Sequence, residues 1–390
     1  MPVMWIPIPS LLTAATASTS LSARSSTRAS PLTYRRTCPR VRRSIVAAKA
    51  DSDPELPEYD LVDIGPQGLR VSSLGLSCTN WEGSPQDVAA FIAAVDGGVT
   101  LFDTASDNGA LLGTYVNGWC QSEAALLPGA EVPRPATCCE VLNVGVRDGG
   151  GLTLERAAVV DALTAHNLNT GGVGGSDVGI CHLAIPMVGG SEDAVRCQVA
   201  IAEGLKEAQE KGLCSANIGV VGYKAPELEA LAAALGDASS GGPRLVSNRV
   251  KYSLLDRQVE VDGTLEACRG LGVGVLAGSV LAGGKLKAAA ETEQGEGEGS
   301  NLNGLLKLLD LVGSFEGGRT PVQVAINWLI AQGVVPLVST RNELHAWECK
   351  GAMGWRLDAV QVEALSERAV AVSQDDSERP NGIELLDGLF

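Results

Sequence analysis

The sequence predicts an α/β protein built as a (β/α)8 barrel, and three observations carry that prediction. Eight short, apolar, β-rich runs recur along the chain, at 74–78, 99–105, 138–146, 178–185, 216–222, 245–252, 272–280 and 334–339. Between them lie stretches whose apolar positions repeat at helical spacing, several opened by Ser or Thr as an N-cap. The runs are apolar on both faces, which fits a parallel sheet covered by helices rather than a half-solvated antiparallel one. Eight such units in one domain make a closed barrel. A doubly wound open sheet is the alternative.

The elements follow in order. Residues 1–50 hold seven Arg, one Lys and fourteen Ser or Thr, with no Asp or Glu. A Ser- and Arg-rich, acid-free N-terminus reads as an organellar transit peptide, plastid rather than mitochondrial, ending near RRSIVAAKA. The segment DLVDIGPQGLRVSS (60–73) reads as a hairpin ahead of the first barrel strand. The helical stretches are SPQDVAAFIAAVDGG, TLERAAVVDALTAHNL, SEDAVRCQVAIAEGLKEAQEKG, APELEALAAALG, GTLEACRGLG, GLLKLLDLVGSF and TPVQVAINWLIAQG. Residues 171–177 (GGVGGSD) precede a strand instead of opening a helix, so they form a loop and not a phosphate cradle. Residues 287–301 (KAAAETEQGEGEGSN) read as a mobile Gly/Glu-rich loop over the face where barrels place their active sites. The barrel domain spans 51–374, and 375–390 reads as a flexible tail.

Charge narrows the function classes. The chain carries 30 Lys and Arg against 46 Asp and Glu. Eight of the basic residues lie in the first 50, leaving 22 against 46 in the remainder. Such an acidic body excludes nucleic acid and anionic membrane surfaces as partners, and offers its acidic surface to a protein partner. No run of 18 apolar residues exists to span a bilayer. The ten Cys are irregularly spaced, with no CxxC, so they suggest neither a disulfide framework nor a metal site. Cys138 and Cys139 sit inside an apolar run and read as small buried hydrophobes.

Asp103 ends the apolar run in LFDTASDNG, and a charge there needs partners or a cleft. With it stand GVTLFDTASDNG, the His182 of DVGICHLAIP, SANIGVVGY, NRVKYSLLDRQVEVDG and QVAINWLIAQGVVPLVSTRNELHAWECKGAMGWRL. Over residues 58–370 these stretches resemble the aldo-keto reductases, plant-type plastid members in particular. The resemblance implies a (β/α)8 barrel that reduces carbonyls with NADPH. It also implies a tetrad at the strand ends: a proton-giving tyrosine, a lysine lowering the phenol's pKa, an aspartate pairing with the lysine, and a histidine orienting the carbonyl.

Carried over residue by residue, the aspartate matches Asp103 and the histidine His182. The tyrosine falls on Asn108 and the lysine near Val144. No lysine lies between Lys49 and Lys206, so no shift of register restores it. Arg147 and Arg249 are candidate replacement cations, and Tyr115 is a distant substitute for the tyrosine. Asp103 also reads as a structural cap. At the cofactor positions, the Ser-Asn pair falls on Val221 and Gly222, the Gln on Arg249, the aromatic that stacks on nicotinamide on Gly278, and the following Pro on Val280. Ser279 and Leu281 resemble the pyrophosphate contacts. Ser339, Thr340, Arg341 and Glu348 resemble the adenosine-phosphate grip, with Arg341 facing a 2′-phosphate. The nicotinamide half is thus eroded and the adenine half partly kept.

Three functions follow. The first is a stromal ligand-binding or regulatory pseudoenzyme of NADPH-dependent oxidoreductase descent, taking a small molecule or dinucleotide and impaired in ordinary carbonyl reduction. The second is an NADP-dependent oxidoreductase with non-standard catalytic residues. The third is a plastid structural or interaction protein.

Overall fold

The computed structural model describes residues 60–66, 69–104, 108–126, 135–141, 156–170, 180–183, 192–236, 241–286 and 301–378. An antiparallel hairpin, β1 (Leu61–Ile64) and β2 (Leu69–Ser72), comes first. The barrel strands follow: β3 (Gly75–Ser77), β4 (Leu101–Thr104), β5 (Ala136–Val141), β6 (Ile180–Leu183), β7 (Asn217–Val221), β8 (Arg244–Lys251), β9 (Gly274–Gly278) and β10 (Val335–Ser339). All eight pair in parallel, in the order β10-β3-β4-β5-β6-β7-β8-β9, and the sheet closes on itself. The closed barrel and the hairpin are both as the sequence predicts.

The helices are α1 (Pro85–Asp96), α2 (Gly109–Leu126), α3 (Arg156–Thr170), α4 (Glu192–Glu210), α5 (Ala225–Leu235), α6 (Gln258–Val261), α7 (Thr264–Gly270), α8 (Asn301–Phe315), α9 (Pro321–Ala331), α10 (Glu343–Lys350) and α11 (Ala359–Glu378). Local chemistry sets their starts. Ser84 caps α1 and Thr320 caps α9, each in a reciprocal capping box three residues long, with Asp87 and Gln323 respectively, and each followed by Pro. Gly204 lets α4 lie against α3, since a Cβ there would stand 2.6 Å from the Cβ of Val159.

Two apolar cores result. The outer one fills the layer between sheet and helices, with Phe91, Phe102, Leu231, Tyr252 and Trp328 all fully enclosed. The inner one, Ile64, Val71, Leu101, Val246, Leu276, Val335 and Leu337, is the bottom of the bore, and Ile64 and Val71 of the hairpin plug it. Gly65 turns the hairpin at φ +79° against Val246, where any side chain would collide. With the amino end sealed, the carboxyl ends of the strands are the open end of the barrel.

The differences from the sequence reading are local, the short α6 among them. α2 was not anticipated, because GALLGTYVNGWC mixes glycines and polar residues and its apolar face is short. α10 and α11 were not anticipated as separate helices either. β5 begins at Ala136, two residues before the expected start. α11 continues to Glu378, beyond the expected boundary at 374. Residues 1–50, 171–177, 287–300 and 379–390 lie outside the described residues, as do Val144 and Arg147. Among the described residues no helix is long and apolar enough to cross a membrane.

Ile64→Ala opens a void between hairpin and barrel, and is expected to cost about 2–4 kcal/mol in urea unfolding. A change below about 0.5 kcal/mol would show that the plug does not hold the barrel's lower end.

Candidate active site

The site begins at the end of β4. Leu101 packs into the bore, Phe102 packs outward on Phe91 at 4.9 Å between ring centroids, and Asp103 therefore faces the bore again. Asp103 is fully buried. Its Oδ2 lies 3.3 Å from Nη1 of Arg249 and accepts a hydrogen bond of 3.4 Å from the hydroxyl of Ser77, its register partner on β3. The Ser77 hydroxyl is in turn 3.3 Å from that of Thr79.

Arg249 comes from β8, four strands away in a barrel of eight, so its side chain crosses the mouth. A register shift makes this possible. Ile218 of β7 pairs with Leu245 and Gly219 pairs with Ser247, leaving one extra residue in β8. Before the shift, Leu245 packs outward and Val246 inward. Strict alternation would then turn Asn248 into the bore and Arg249 out of it. Instead Asn248 bonds outward, to Tyr223 and to the Cys268 thiol of α7, Val250 joins the outer core, and Arg249 reaches Asp103. A bulge that re-aims one side chain is a common device beside functional sites. Gly278 on β9 lies beside it, a Cβ there standing 3.9 Å from Arg249 Nε, an ordinary contact.

The structure places the other predicted residues as follows. Asn108 opens the turn into α2 and donates from Nδ2 to the carbonyl of Thr79 at 2.6 Å, tying two mouth loops together. The backbone register sets His182 level with Glu140 on β5 and Gly219 on β7. Tyr115 lies in the outer layer, 5.8 Å from Trp81 and 5.9 Å from Phe91, with its hydroxyl buried and without a hydrogen bond. Burial, with Asp87 and Cys78 nearby, pushes its phenol up to about 12. Neither its position nor its acidity suits proton donation in the mouth. Burial, Asp103 and Asp87 likewise hold the Cys78 thiol well above its usual range, so it is no nucleophile. Ser279 takes a left-handed backbone at φ +54°, and Leu281 leans on the outer core.

The corner after β10 is built around Arg341. Its Nε lies 3.1 Å from Asp87 Oδ1 and its Nη1 3.0 Å from Glu82 Oε1. Asp87 also accepts the backbone N–H groups of Glu82 and Ser84 through Oδ2. Burial alone would raise its pKa, but these backbone bonds, the Ser84 hydroxyl and Arg341 outweigh it, and the carboxyl sits below its usual range. Ser339 is exposed at the strand end, and Thr340 is buried, its carbonyl accepting the indole N–H of Trp81 at 2.8 Å. Glu348 turns to the other side of α10 and accepts the hydroxyl of Thr320 at 3.1 Å. The structure thus joins Asp103 to Arg249, and gives Arg341 and Glu348 different partners. Ser77, Thr79, Glu82 and Asp87 were not singled out by sequence; only the Ser84–Asp87 capping spacing signalled one of them. Among the described residues, no group of three or more His, Cys, Asp or Glu is placed to hold a metal ion.

A closed parallel barrel with an ionic group at the carboxyl ends of its strands is the architecture of the (β/α)8 barrel enzymes. The model of the Aldo/keto reductase family matches residues 165–369, more than half of the chain, and the chain belongs to that family. It is 26% identical over 342 residues, 80% of this chain and 87% of the other, to a protein of Arabidopsis thaliana named pyridoxal reductase, chloroplastic. The structure of a glycerol dehydrogenase from Gluconobacter oxydans superposes with a TM-score of 0.61 at 15% identity, covering 84% of this chain and 99% of that one. At that identity the likeness speaks to the fold alone.

The family typically uses NADP(H). The residues present fit that group poorly: Gly278, with Arg249 beside it, stands where the family resemblance puts the aromatic that stacks on nicotinamide, and Arg341 is already paired with two carboxylates.

Arg249→Met strands a buried carboxylate and is expected to cost about 3 kcal/mol in urea unfolding. Adding Asp103→Asn should recover most of that loss. A single variant as stable as the wild type would show that the pair does not hold the mouth together. Asp87 gives a pH test. Its pKa is lowered on folding, so its contribution is fully present above the unfolded value near 4 and is lost as pH falls through the folded value. The stability gap between wild type and Asp87→Asn should therefore be largest near neutral pH and shrink toward pH 3.

Proposed function

We propose that this chain is a ligand-binding or regulatory protein of oxidoreductase descent, impaired in ordinary carbonyl reduction and resident in the plastid stroma. One observation carries the reading: the aspartate at the end of β4 is neutralised by an arginine reaching across the mouth, with Asn108 turned to a loop carbonyl. By the family resemblance the tyrosine falls on Asn108 and the lysine near Val144, and Tyr115 is sequestered in the outer layer. Without a positioned acid, the general acid–base contribution of roughly 10²–10⁴-fold is lost. What the mouth retains is a polar, enclosed floor of Ser77, Thr79, Asp103 and Arg249, suited to orienting a small polar ligand. The acidic surface supports a protein partner as the consequence of ligand binding. The plastid assignment draws on the composition of residues 1–50 and on the chloroplastic relative.

A second reading, an oxidoreductase with non-standard residues, draws on the same buried Asp103, kept charged-pair competent by Arg249. One experiment separates the two. Purified chain lacking residues 1–50 is assayed with NADPH and with NADH against pyridoxal, reactive aldehydes and quinones. The proposal expects no consumption above the uncatalysed rate. Turnover that disappears in Asp103→Asn would overturn it in favour of the second reading. A fluorescent fusion of residues 1–50 should enter plastids; cytosolic fluorescence would contradict the stromal placement.

A further inference from the structure

We infer that the corner after β10 rejects a 2′-phosphate, with Glu82 as the residue that enforces the rejection, so that a dinucleotide reaching this barrel is not selected for the phosphorylated form. The inference rests on membership of the family, and not on whether any reaction is catalysed in the mouth.

The chemistry is on the page. Arg341 is the one basic residue in the segment from Val335 to Leu344, and a guanidinium at such a corner would fork onto a phosphate. Here its fork is turned inward. Nε is bound to Asp87, whose side chain is fully buried, and Nη1 to Glu82. Asp87 is fixed in turn by two backbone amides at the start of α1, so the grip is part of the helix cap and not a passing surface contact. Arg341 faces two carboxylates. A phosphate dianion entering here meets net negative charge and must first break an arginine–carboxylate bond that a buried acid anchors. Both carboxylates raise the basicity of Arg341, Glu82 foremost, as expected of a satisfied guanidinium.

Glu82 is the member that can be changed without cost to the fold. Its side chain is 76% exposed, and its only role in the α1 cap is through the backbone N–H. The probes are adenosine 2′,5′-bisphosphate and adenosine 5′-monophosphate, which differ by the phosphate in question and avoid the mouth. Binding to the wild type and to Glu82→Gln is measured by isothermal titration calorimetry, with melting temperature confirming that the variant folds.

The wild type should bind the bisphosphate no more tightly than the monophosphate. Glu82→Gln should favour the bisphosphate by about tenfold, a change of about 1.4 kcal/mol, with monophosphate binding unchanged. A wild type that prefers the bisphosphate by tenfold or more overturns the inference. So does a Glu82→Gln variant that folds but gains no preference. Turnover in the carbonyl assay would overturn the proposed function and leave this result standing, so the two failures are distinguishable.

Discussion

The mouth of this barrel is organised by one ion pair. A carboxylate cannot be buried at the end of β4 without a counter-charge, since desolvating it alone costs several kcal/mol. Where the family resemblance expects a lysine on the neighbouring strand, this chain has none, and the charge is met from the opposite wall by Arg249. That solution has consequences. The arginine must cross the bore, and a bulge in β8 turns it inward.

Within the described bore, the lower half is apolar and the polarity sits at the mouth. The bore below Asp103 is sealed by Leu101, Val246, Leu276, Val335 and Leu337 and capped by the hairpin residues Ile64 and Val71. Outside the sheet, Phe91, Phe102, Trp81 and Tyr115 form a continuous aromatic layer that anchors α1 to β4. At the strand ends Ser77, Thr79, Asn108 and Thr340 knit the loops together. A barrel scaffold of this kind carries many different reactive sets, so fold and function separate readily here.

Much of this was legible in the sequence, for reasons that differ by element. All eight strands could be read because parallel strands covered on both faces are continuous apolar runs. α1 and α9 announce themselves through Ser84-Pro85 and Thr320-Pro321. α2 was hidden because it spends its apolar residues on one narrow stripe between glycines. At the site, Asp103 was conspicuous as a charge ending an apolar run, and Arg249 was one of two candidate partners for it. What could not be read was that Arg249 turns into the bore, since that depends on a one-residue bulge that alternation alone does not show. The grip on Arg341 was equally hidden: Asp87 reads as a helix-capping acid, and only folding brings it 254 residues along the chain to Arg341.

The most direct test of the central claim is a crystal structure of the chain lacking residues 1–50, grown with millimolar NADPH. The account predicts Arg249 still bridging to Asp103 above Gly278, with no nicotinamide ring in the mouth. A ring stacked over Gly278, with Arg249 swung away from Asp103, would contradict it.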